Sequence, residues 1–205
     1  MKIFCIGWNY AKHNSEMNRV ERPKEPTLFM KPDTALLREN KPFFLPHFSR
    51  QLEHEVEVVV RIDRVGKNIE PRFAHRYYSH IALGIDFTAR DLQNRCKQMG
   101  APWEIAKAFD NSAALSDFVP LSELGGDIQN LNFSLLKNGC LQQQGNTSEM
   151  LFPVNELIAY ISSFFTLRVG DLIYTGTPAG VSPLTIGDHL TGILENRTMF
   201  EIDIK

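Results

Sequence analysis

Two glutamates interrupt an otherwise apolar strand, and they limit what this chain can fold into more than any other feature. Residues 54–62 predict a strand whose side chains alternate between faces, so Glu55 and Glu57 project from the same side, about 7 Å apart. An isolated pair with this spacing usually marks a solvated face. Here Val59 shares the face, which indicates that it becomes buried one step further on. Two carboxylates entering a core need a cation.

A third carboxylate follows from the next apolar strand, which is predicted over residues 81–87. Asp86 stands at its carboxyl end, where a strand usually delivers functional groups to a cleft. The alternative role is to cap the next helix, but Thr88 followed by Asp91 already forms a helix-start signature and leaves Asp86 free. Three carboxylates without a neighbouring histidine or cysteine suit an oxygen-seeking ion, namely Mg²⁺, Mn²⁺ or Ca²⁺.

The rest of the chain predicts many short strands and few helices. A helix that begins near Thr88 should end at Gly100, and Asn138-Gly139 is a strong two-residue hairpin signal. The pattern indicates an α+β fold dominated by a mixed or antiparallel sheet, in a single domain over residues 1–205. The other predicted elements are strands at 2–6, 131–137, 140–144, 172–175, 189–194 and 199–204, and a helix at 155–165.

Charge and cysteine content exclude several classes of protein. Lys and Arg number 22 against 24 Asp and Glu, and the formal net charge of -2 gives no overall attraction to nucleic acid or anionic lipid. The 3 cysteines are scattered, so neither a disulfide framework nor a zinc knuckle is indicated. No apolar stretch approaches the roughly 18 residues of a membrane span. We therefore expect a cytoplasmic protein with a small-molecule substrate and no nucleic-acid or membrane partner.

Two further positions could contact an anion. Lys107 lies in an apolar context, where its charge must either snorkel to solvent, the commoner outcome, or meet an anion. The glycine-rich loop at residues 175–180 can bring backbone N–H groups and the Thr177 hydroxyl close to an anionic ligand, although such a loop is a weak signal by itself.

A polar segment near the amino terminus predicts a flap over residues 9–27. Pro23 and Pro26 limit it to a short helix around residues 10–17. Within it, His13 and Glu25 could form an acid/base pair. The alternatives are a plain surface loop and a solvated histidine.

Six motifs occur in the order of a known protein family. Together they resemble the fumarylacetoacetate hydrolase family over nearly the whole chain, closest to short single-domain members that include acylpyruvate hydrolases and oxaloacetate decarboxylases. The motifs are IGWNY (6–10) with His13, EPTLFMKP (25–32), HEVE (54–57), DFTARDLQ (86–93), PW (102–103) with AKAFD (106–110), and YTGTPAGV (174–181).

The resemblance implies a mixed β-roll fold, a homodimer and a bound Mg²⁺ or Mn²⁺. It also implies a role for each matching residue: metal ligands at Glu55, Glu57 and Asp86, contacts to the pyruvyl end of the substrate from Lys107 and Thr177, groups lining or supporting the site at Arg90 and Gln93, and a water-activating lid dyad of His13 and Glu25.

The implied activity is metal-dependent hydrolysis of a C–C bond in acylpyruvates, which are 2,4-diketo acids, with possible decarboxylation of oxaloacetate. The alternative is a 2-hydroxyhepta-2,4-diene-1,7-dioate isomerase or 5-carboxymethyl-2-oxo-hex-3-ene-1,7-dioate decarboxylase. An alternative from another class is a catalytically silent protein that binds a metal or an oxyanion. Trp8 and Asp33 depart from the usual family pattern, which often has Arg and a small hydroxyl residue there, and both departures concern the substrate end of the pocket.

Overall fold

The computed structural model describes residues 1–17 and 23–205. The helices are α1 (Ala11–Glu16), α2 (Pro71–Ala74), α3 (Arg90–Met99), α4 (Glu104–Lys107) and α5 (Val154–Phe164). The strands are β1 (Ile3–Gly7), β2 (Thr27–Lys31), β3 (Leu36–Leu37), β4 (Leu52–Glu53), β5 (Val56–Arg61), β6 (His80–Asp86), β7 (Thr88–Ala89), β8 (Ala113–Leu115), β9 (Val119–Pro120), β10 (Asn132–Lys137), β11 (Cys140–Asn146), β12 (Leu172–Tyr174), β13 (His189–Leu194) and β14 (Arg197–Asp203).

An eight-stranded mixed sheet forms the centre of the molecule. Its order is β2-β1-β12-β5-β6-β8-β3, and β9 pairs separately with β6. Strands β1 and β12 run parallel, whereas β5 is antiparallel to both β12 and β6. The central strands β5 and β6 are almost continuously buried, as expected for strands covered on both faces. This mixed sheet with few short helices confirms the predicted α+β class.

A second, four-stranded antiparallel sheet packs against the first. Its order is β11-β10-β13-β14, and its apolar side chains, such as Phe133 and Phe200, share one core with Val58 and Leu83 of the large sheet. The sheets meet where β10, β13 and β14 contact β5 and β6. Val59, which shares the face of Glu57, packs instead with Ala82 and Tyr174 in a second cluster. The two glutamates therefore lie on the face of the large sheet that points away from the four-stranded sheet.

Local sequence signals predict most of these elements. The Asn138-Gly139 turn joins β10 to β11, with both residues at positive φ as a type I′ hairpin requires. Helix α3 ends at Gly100 in the left-handed conformation, as predicted. The cap assigned to Thr88 is wrong: the residue before α3 is Ala89, no side chain in the described chain caps it, and the Thr88 hydroxyl faces Lys107 instead.

The flap is described only in part. Helix α1 confirms the short helical pattern around residues 10–17, and residues 18–22 of the predicted flap lie outside the described residues. The movement of this segment and the single-domain organisation stay predictions. None of the helices in the described ranges is long and apolar enough to cross a membrane.

Candidate metal and active site

The three predicted carboxylates converge on one point. Glu57 lies within β5, Glu55 directly precedes that strand, and Asp86 ends β6. Because β5 and β6 pair antiparallel and the Asp86 amide donates to the Glu55 carbonyl at 2.8 Å, the three side chains are neighbours across the pair. One carboxylate oxygen from each lies within 4.8 Å of the others, and all three residues are buried.

Lys107 sits between two of these carboxylates. Its ammonium donates to Glu55 at 2.6 Å, to Asp86 at 2.7 Å and to the Thr88 hydroxyl at 2.6 Å. Of the two alternatives for Lys107, the structure shows contact with anions and not snorkelling to solvent, because the side chain is only 3% exposed. Burial lowers the pKa of Lys107, but the charges of Asp86 and Glu55 outweigh it and raise the pKa above its ordinary value. The amine therefore stays a cation within the cluster.

A second buried lysine was not predicted. Lys31, at the end of β2, places its ammonium 2.8 Å from Oδ1 of Asp86. Its three N–H groups are directed to the backbone carbonyls of Lys107 and Ser112 and to the Ser112 hydroxyl, so Oδ1 of Asp86 accepts no hydrogen bond from the described residues. The sequence signal for Lys31 is a lysine within an apolar segment. The same signal indicated Lys107.

Arg90 orients the carboxylate of Glu55. Its guanidinium donates to Glu53 at 2.7 Å, to Glu55 at 2.5 Å and to the Gln93 side-chain oxygen at 2.6 Å. Burial raises the pKa of Glu55, but Lys107 and Arg90 lower it more, and the pKa falls below its ordinary value. Glu55 is thus held ionised. The part played by Glu53 could not be inferred from the sequence, because its side chain reaches the site only through Arg90.

Glu57 is the carboxylate with the least compensation. It accepts one hydrogen bond, from the Gly176 amide at 2.7 Å, and no cation within residues 1–17 or 23–205 forms an ion pair with it. Burial, followed by the charges of Asp86 and Glu55, raises the pKa of Glu57 well above its ordinary value. Gly176 has φ 103, and a Cβ there would lie 2.7 Å from Asn9, so this close approach requires glycine.

The donor set fits a divalent cation. It consists of buried carboxylate oxygens alone, and it includes one oxygen of Asp86 without a hydrogen bond and a Glu57 without a paired cation. Such hard oxygen donors suit Mg²⁺ or Mn²⁺, and Ca²⁺ uses the same donor type. A divalent metal is therefore the ligand that this cluster of oxygen donors suits.

Thr177 lies at the edge of the same cavity. Its hydroxyl accepts a hydrogen bond from the Gln143 side chain at 2.8 Å, and Gln143 also accepts from the Val56 amide at 3.0 Å. Gln143, which lies on β11 in the second sheet, therefore couples the Thr177 loop to β5. Nothing in the sequence separates Gln143 from its glutamine neighbours in β11, so this link was missed.

Helix α1, in the predicted lid over residues 9–27, places a histidine beside the carboxylates. His13, on α1, is buried and lines the same cavity as Glu55 and Lys107. Its Nδ1 lies 3.3 Å from Glu16, one helical turn further on. The structure does not bring it together with the predicted partner, because Glu25 is exposed and instead accepts a hydrogen bond from the Tyr160 hydroxyl at 3.0 Å.

Two further properties of His13 matter for proton transfer. Burial lowers its pKa, although the charge of Glu55 opposes the change, so the imidazole is neutral near pH 7. Glu16 also accepts from the Gly180 amide at 3.0 Å. This contact joins α1 to the loop that carries Thr177.

Aromatic rings form the remaining wall of the cavity. Trp8, Phe29 and Trp103 line it, and Trp8 stacks on His13 with ring centroids 5.9 Å apart. The cavity has a volume of about 20 Å³, which is room for one water-sized group. Of the two departures from the family pattern, Trp8 therefore lies in the pocket, whereas Asp33 is exposed and does not line it.

Comparisons with known proteins agree with this geometry. The family described as Fumarylacetoacetate (FAA) hydrolase C-terminal matches residues 2–205. The chain is 43% identical over 198 residues to the oxaloacetate tautomerase YcgM of Escherichia coli (strain K12), and this match covers 97% of this chain and 90% of that protein. It is 42% identical over 188 residues to the mitochondrial oxaloacetate tautomerase FAHD1 of Homo sapiens, covering 92% and 84%.

A solved structure resembles the molecule as a whole. The crystal structure of fumarylpyruvate hydrolase from Pseudomonas aeruginosa, in complex with Mn²⁺ and pyruvate, superposes with a TM-score of 0.94 and 33% identity. The superposition covers 100% of this chain and 89% of that chain. The shared fold extends over every element that positions the carboxylate cluster.

Proposed function

The chain belongs to the fumarylacetoacetate hydrolase family, and from this premise we propose that it is a metal-dependent enzyme that interconverts the enol and keto forms of oxaloacetate. The observation that carries the proposal is that a neutral histidine and a buried ammonium, His13 and Lys107, share one small cavity with three carboxylates. Relatives named as oxaloacetate tautomerases, more than 40% identical over most of their length, support this substrate.

We infer that Glu55, Glu57 and Asp86 hold the divalent ion, with Mg²⁺ or Mn²⁺ favoured. When bound, such an ion polarises the 2-oxo group of a substrate as a Lewis acid. The test is thermal unfolding of chelator-treated protein with and without Mn²⁺. The ion should raise the Tm of the native chain by linkage, and Glu57→Gln should remove that rise. An equal rise in Glu57→Gln would show that the ion binds elsewhere.

The chain supplies the proton transfers itself. Conversion of the enol to the keto form takes a proton from the 2-hydroxyl group and adds one at C3, and the reverse reaction takes a proton from C3. Neutral His13 accepts the proton of the 2-hydroxyl group and gives it to C3, and in the reverse reaction it carries the proton from C3 back to the oxygen. Glu16 orients its ring. Lys107 stabilises the enolate charge that develops between the two forms. Arg90 with Gln93 fixes Glu55, and Thr177 contacts the carboxylate of the substrate.

Hydrolysis of acylpyruvates is the second candidate, and the pairing of His13 with Glu16 favours it. An oriented neutral imidazole can deprotonate a water that attacks the 4-carbonyl group of the substrate. Collapse of the adduct breaks the C–C bond and releases a carboxylic acid and the enolate of pyruvate, which is then protonated. Decarboxylation of oxaloacetate and isomerisation of a 2-hydroxy-dienoate pass through related enolates. Homodimerisation and a cytoplasmic location remain proposals beside these activities.

Three assays on one preparation separate the reactions. With Mn²⁺, the protein should accelerate loss of the ultraviolet absorbance of enol-oxaloacetate without releasing pyruvate. Pyruvate released from oxaloacetate would indicate decarboxylation, and pyruvate released from acetylpyruvate would indicate hydrolysis. If no substrate responds to the ion-loaded protein, the proposed function is wrong and the chain is a silent binding protein.

A further inference from the structure

We propose that Lys97 is a positioning residue that holds the lid of the site closed, by clamping the indole rings of Trp8 and Trp103 across the mouth of the cavity. We call these three residues the indole clamp. The proposal rests on the proposed function only for its effect on turnover, because closure itself is measured without substrate.

The clamp joins three segments that are separate along the chain. The Lys97 ammonium lies 4.6 Å from the ring centroid of Trp8 and 5.6 Å from that of Trp103, and both distances are within the range of a cation–π contact. Lys97 lies in the last turn of α3, Trp8 follows β1 at the base of the lid, and Trp103 directly precedes α4. One half-buried cation therefore connects the lid to the helix that carries Lys107.

Each indole ring of the clamp is connected by ring contacts to a residue of the proposed reaction. On one side, Trp8 stacks on His13 with an interplanar angle of 24°. On the other side, Trp103 packs against Phe29 at 5.9 Å, and the Phe29 ring faces the Lys107 ammonium at 5.4 Å. The contacts thus form a continuous chain from His13 to Lys107, with Lys97 in the middle of it.

The backbone of Trp8 shows why a clamp is needed. Trp8 has φ 65, a left-handed conformation that bulky residues seldom adopt and that persists only where the surroundings hold it. The surroundings of its ring include both His13 and Lys97. Without the ammonium, the indole loses an attraction that opposes relaxation of the backbone, and the ring stacked on His13 loses its support.

The size of the cavity shows that the clamp must open. A space of about 20 Å³ holds one water-sized group, so a four-carbon acid enters only if the wall or the lid moves. Contact between Lys97 and Trp8 crosses from α3 to the base of the lid, and it therefore has to break or shift when the site opens. Lys97 sets the balance between the closed and open states.

The chain provides its own optical probe for this idea. Its 2 tryptophans are Trp8 and Trp103, so intrinsic fluorescence reports on the clamp alone. The test variant is Lys97→Met, which keeps the length of the side chain and removes the charge. Lys97→Arg keeps the cation, and Arg95→Met removes an exposed charge from the same helix as the matched control. Lys97→Gln serves as the second neutral variant if Lys97→Met does not fold.

Fluorescence and amide hydrogen exchange are measured on the chelator-treated protein without substrate. We expect Lys97→Met to change the tryptophan emission and to speed exchange of residues 10–17 about two- to fivefold, the effect of losing the cation–π contacts with the two indole rings. Exchange in the hairpin of β10 and β11 should not change. Arg95→Met should match the native chain in both measurements, and Lys97→Arg should retain its protection.

Three results would overturn the proposal: native emission and exchange in Lys97→Met, the same change in Arg95→Met, or faster exchange throughout the molecule, which would mean a general role in stability. Turnover is a separate readout. A native chain without activity on any 2-oxo acid would reject the proposed function and leave the measured closure unaffected. In an active enzyme, Lys97→Met should lower kcat more than it changes KM, and Lys97→Arg should rescue it.

Discussion

The floor of the site and its lid are built on different physical principles. On the floor, Glu55, Asp86 and Lys107 are joined by side-chain contacts of 2.6–2.7 Å between groups that are almost fully buried. The lid helix α1 has six residues, no side-chain cap in the described chain, and exposed contacts to its surroundings through Lys12 and Glu16. A helix this short is not stable alone.

The floor and the lid differ in the free energy that is lost when one of their ion pairs is removed. Removing one partner of a buried ion pair leaves an uncompensated charge and typically costs about 3–5 kcal/mol. An exposed ion pair contributes only about 0–1 kcal/mol. The floor is therefore expensive to disturb, whereas the exposed ion pair of the lid contributes little to stability.

The largest effect should come from Lys107→Met. In the absence of metal, this change leaves Glu55 and Asp86 without a shared cation, and the free energy of unfolding should fall by about 3–5 kcal/mol. Addition of Mn²⁺ should restore much of the loss, because the ion replaces the missing positive charge. Urea unfolding with and without Mn²⁺ measures both effects.

The matched control on the lid is Lys12→Met, which removes the exposed pair with Glu149. It should cost less than about 1 kcal/mol and show no dependence on Mn²⁺. Equal losses in the two variants would break the distinction between floor and lid.

A smaller effect, confined to turnover, is expected for His13→Ala. Loss of a general base should lower kcat by about 100-fold or more, while metal-dependent stabilisation persists because His13 is not among the carboxylates. The pH profile of the native enzyme gives a second check. Because burial lowers the pKa of His13, the neutral form persists below about pH 6.5, and kcat should fall only as pH drops through that lowered pKa. A profile that instead rises toward acid pH would contradict a neutral base.

The smallest effect distinguishes Glu16 from Glu25, the predicted partner of His13. Glu16→Gln removes the charge beside His13 and weakens the contact with the Gly180 amide, and it should lower kcat by about tenfold. Glu25→Gln changes an exposed group bonded to Tyr160 and should leave kcat within about twofold of the native value. The reverse order would restore Glu25 as the partner of His13.

The floor of the site could be predicted from the sequence better than the lid. The floor followed from strand alternation, because Glu55 and Glu57 share a face wherever β5 forms, and Asp86 follows from the end of β6. The pairing of His13 with Glu16 in the lid could not be inferred from strand alternation. Glu25 matched a motif, but the spacing of three residues within a helix decides that Glu16 lies beside His13.

Contacts that depend on tertiary packing also escaped prediction. Gln143 comes from the second sheet, and its contact with Thr177 exists only because the two sheets pack together. Lys31 and Glu53 also act on the cluster through single side-chain contacts. They come from strands β2 and β4, and the sequence does not specify which strands lie next to these. The family resemblance, by contrast, identified Arg90 and Gln93, which do line the cavity.

The buried charges of the floor also fix the order in which ligands can be added. Three permanent cations face four carboxylates there, and the groups are Lys31, Arg90 and Lys107 against Glu53, Glu55, Glu57 and Asp86. The raised pKa of Glu57 favours its neutral form without the ion, so the floor then carries no net charge that attracts a dianion such as oxaloacetate. A divalent ion that displaces the Glu57 proton leaves the floor with one net positive charge. Steady-state kinetics should accordingly be ordered, with the metal adding before the acid.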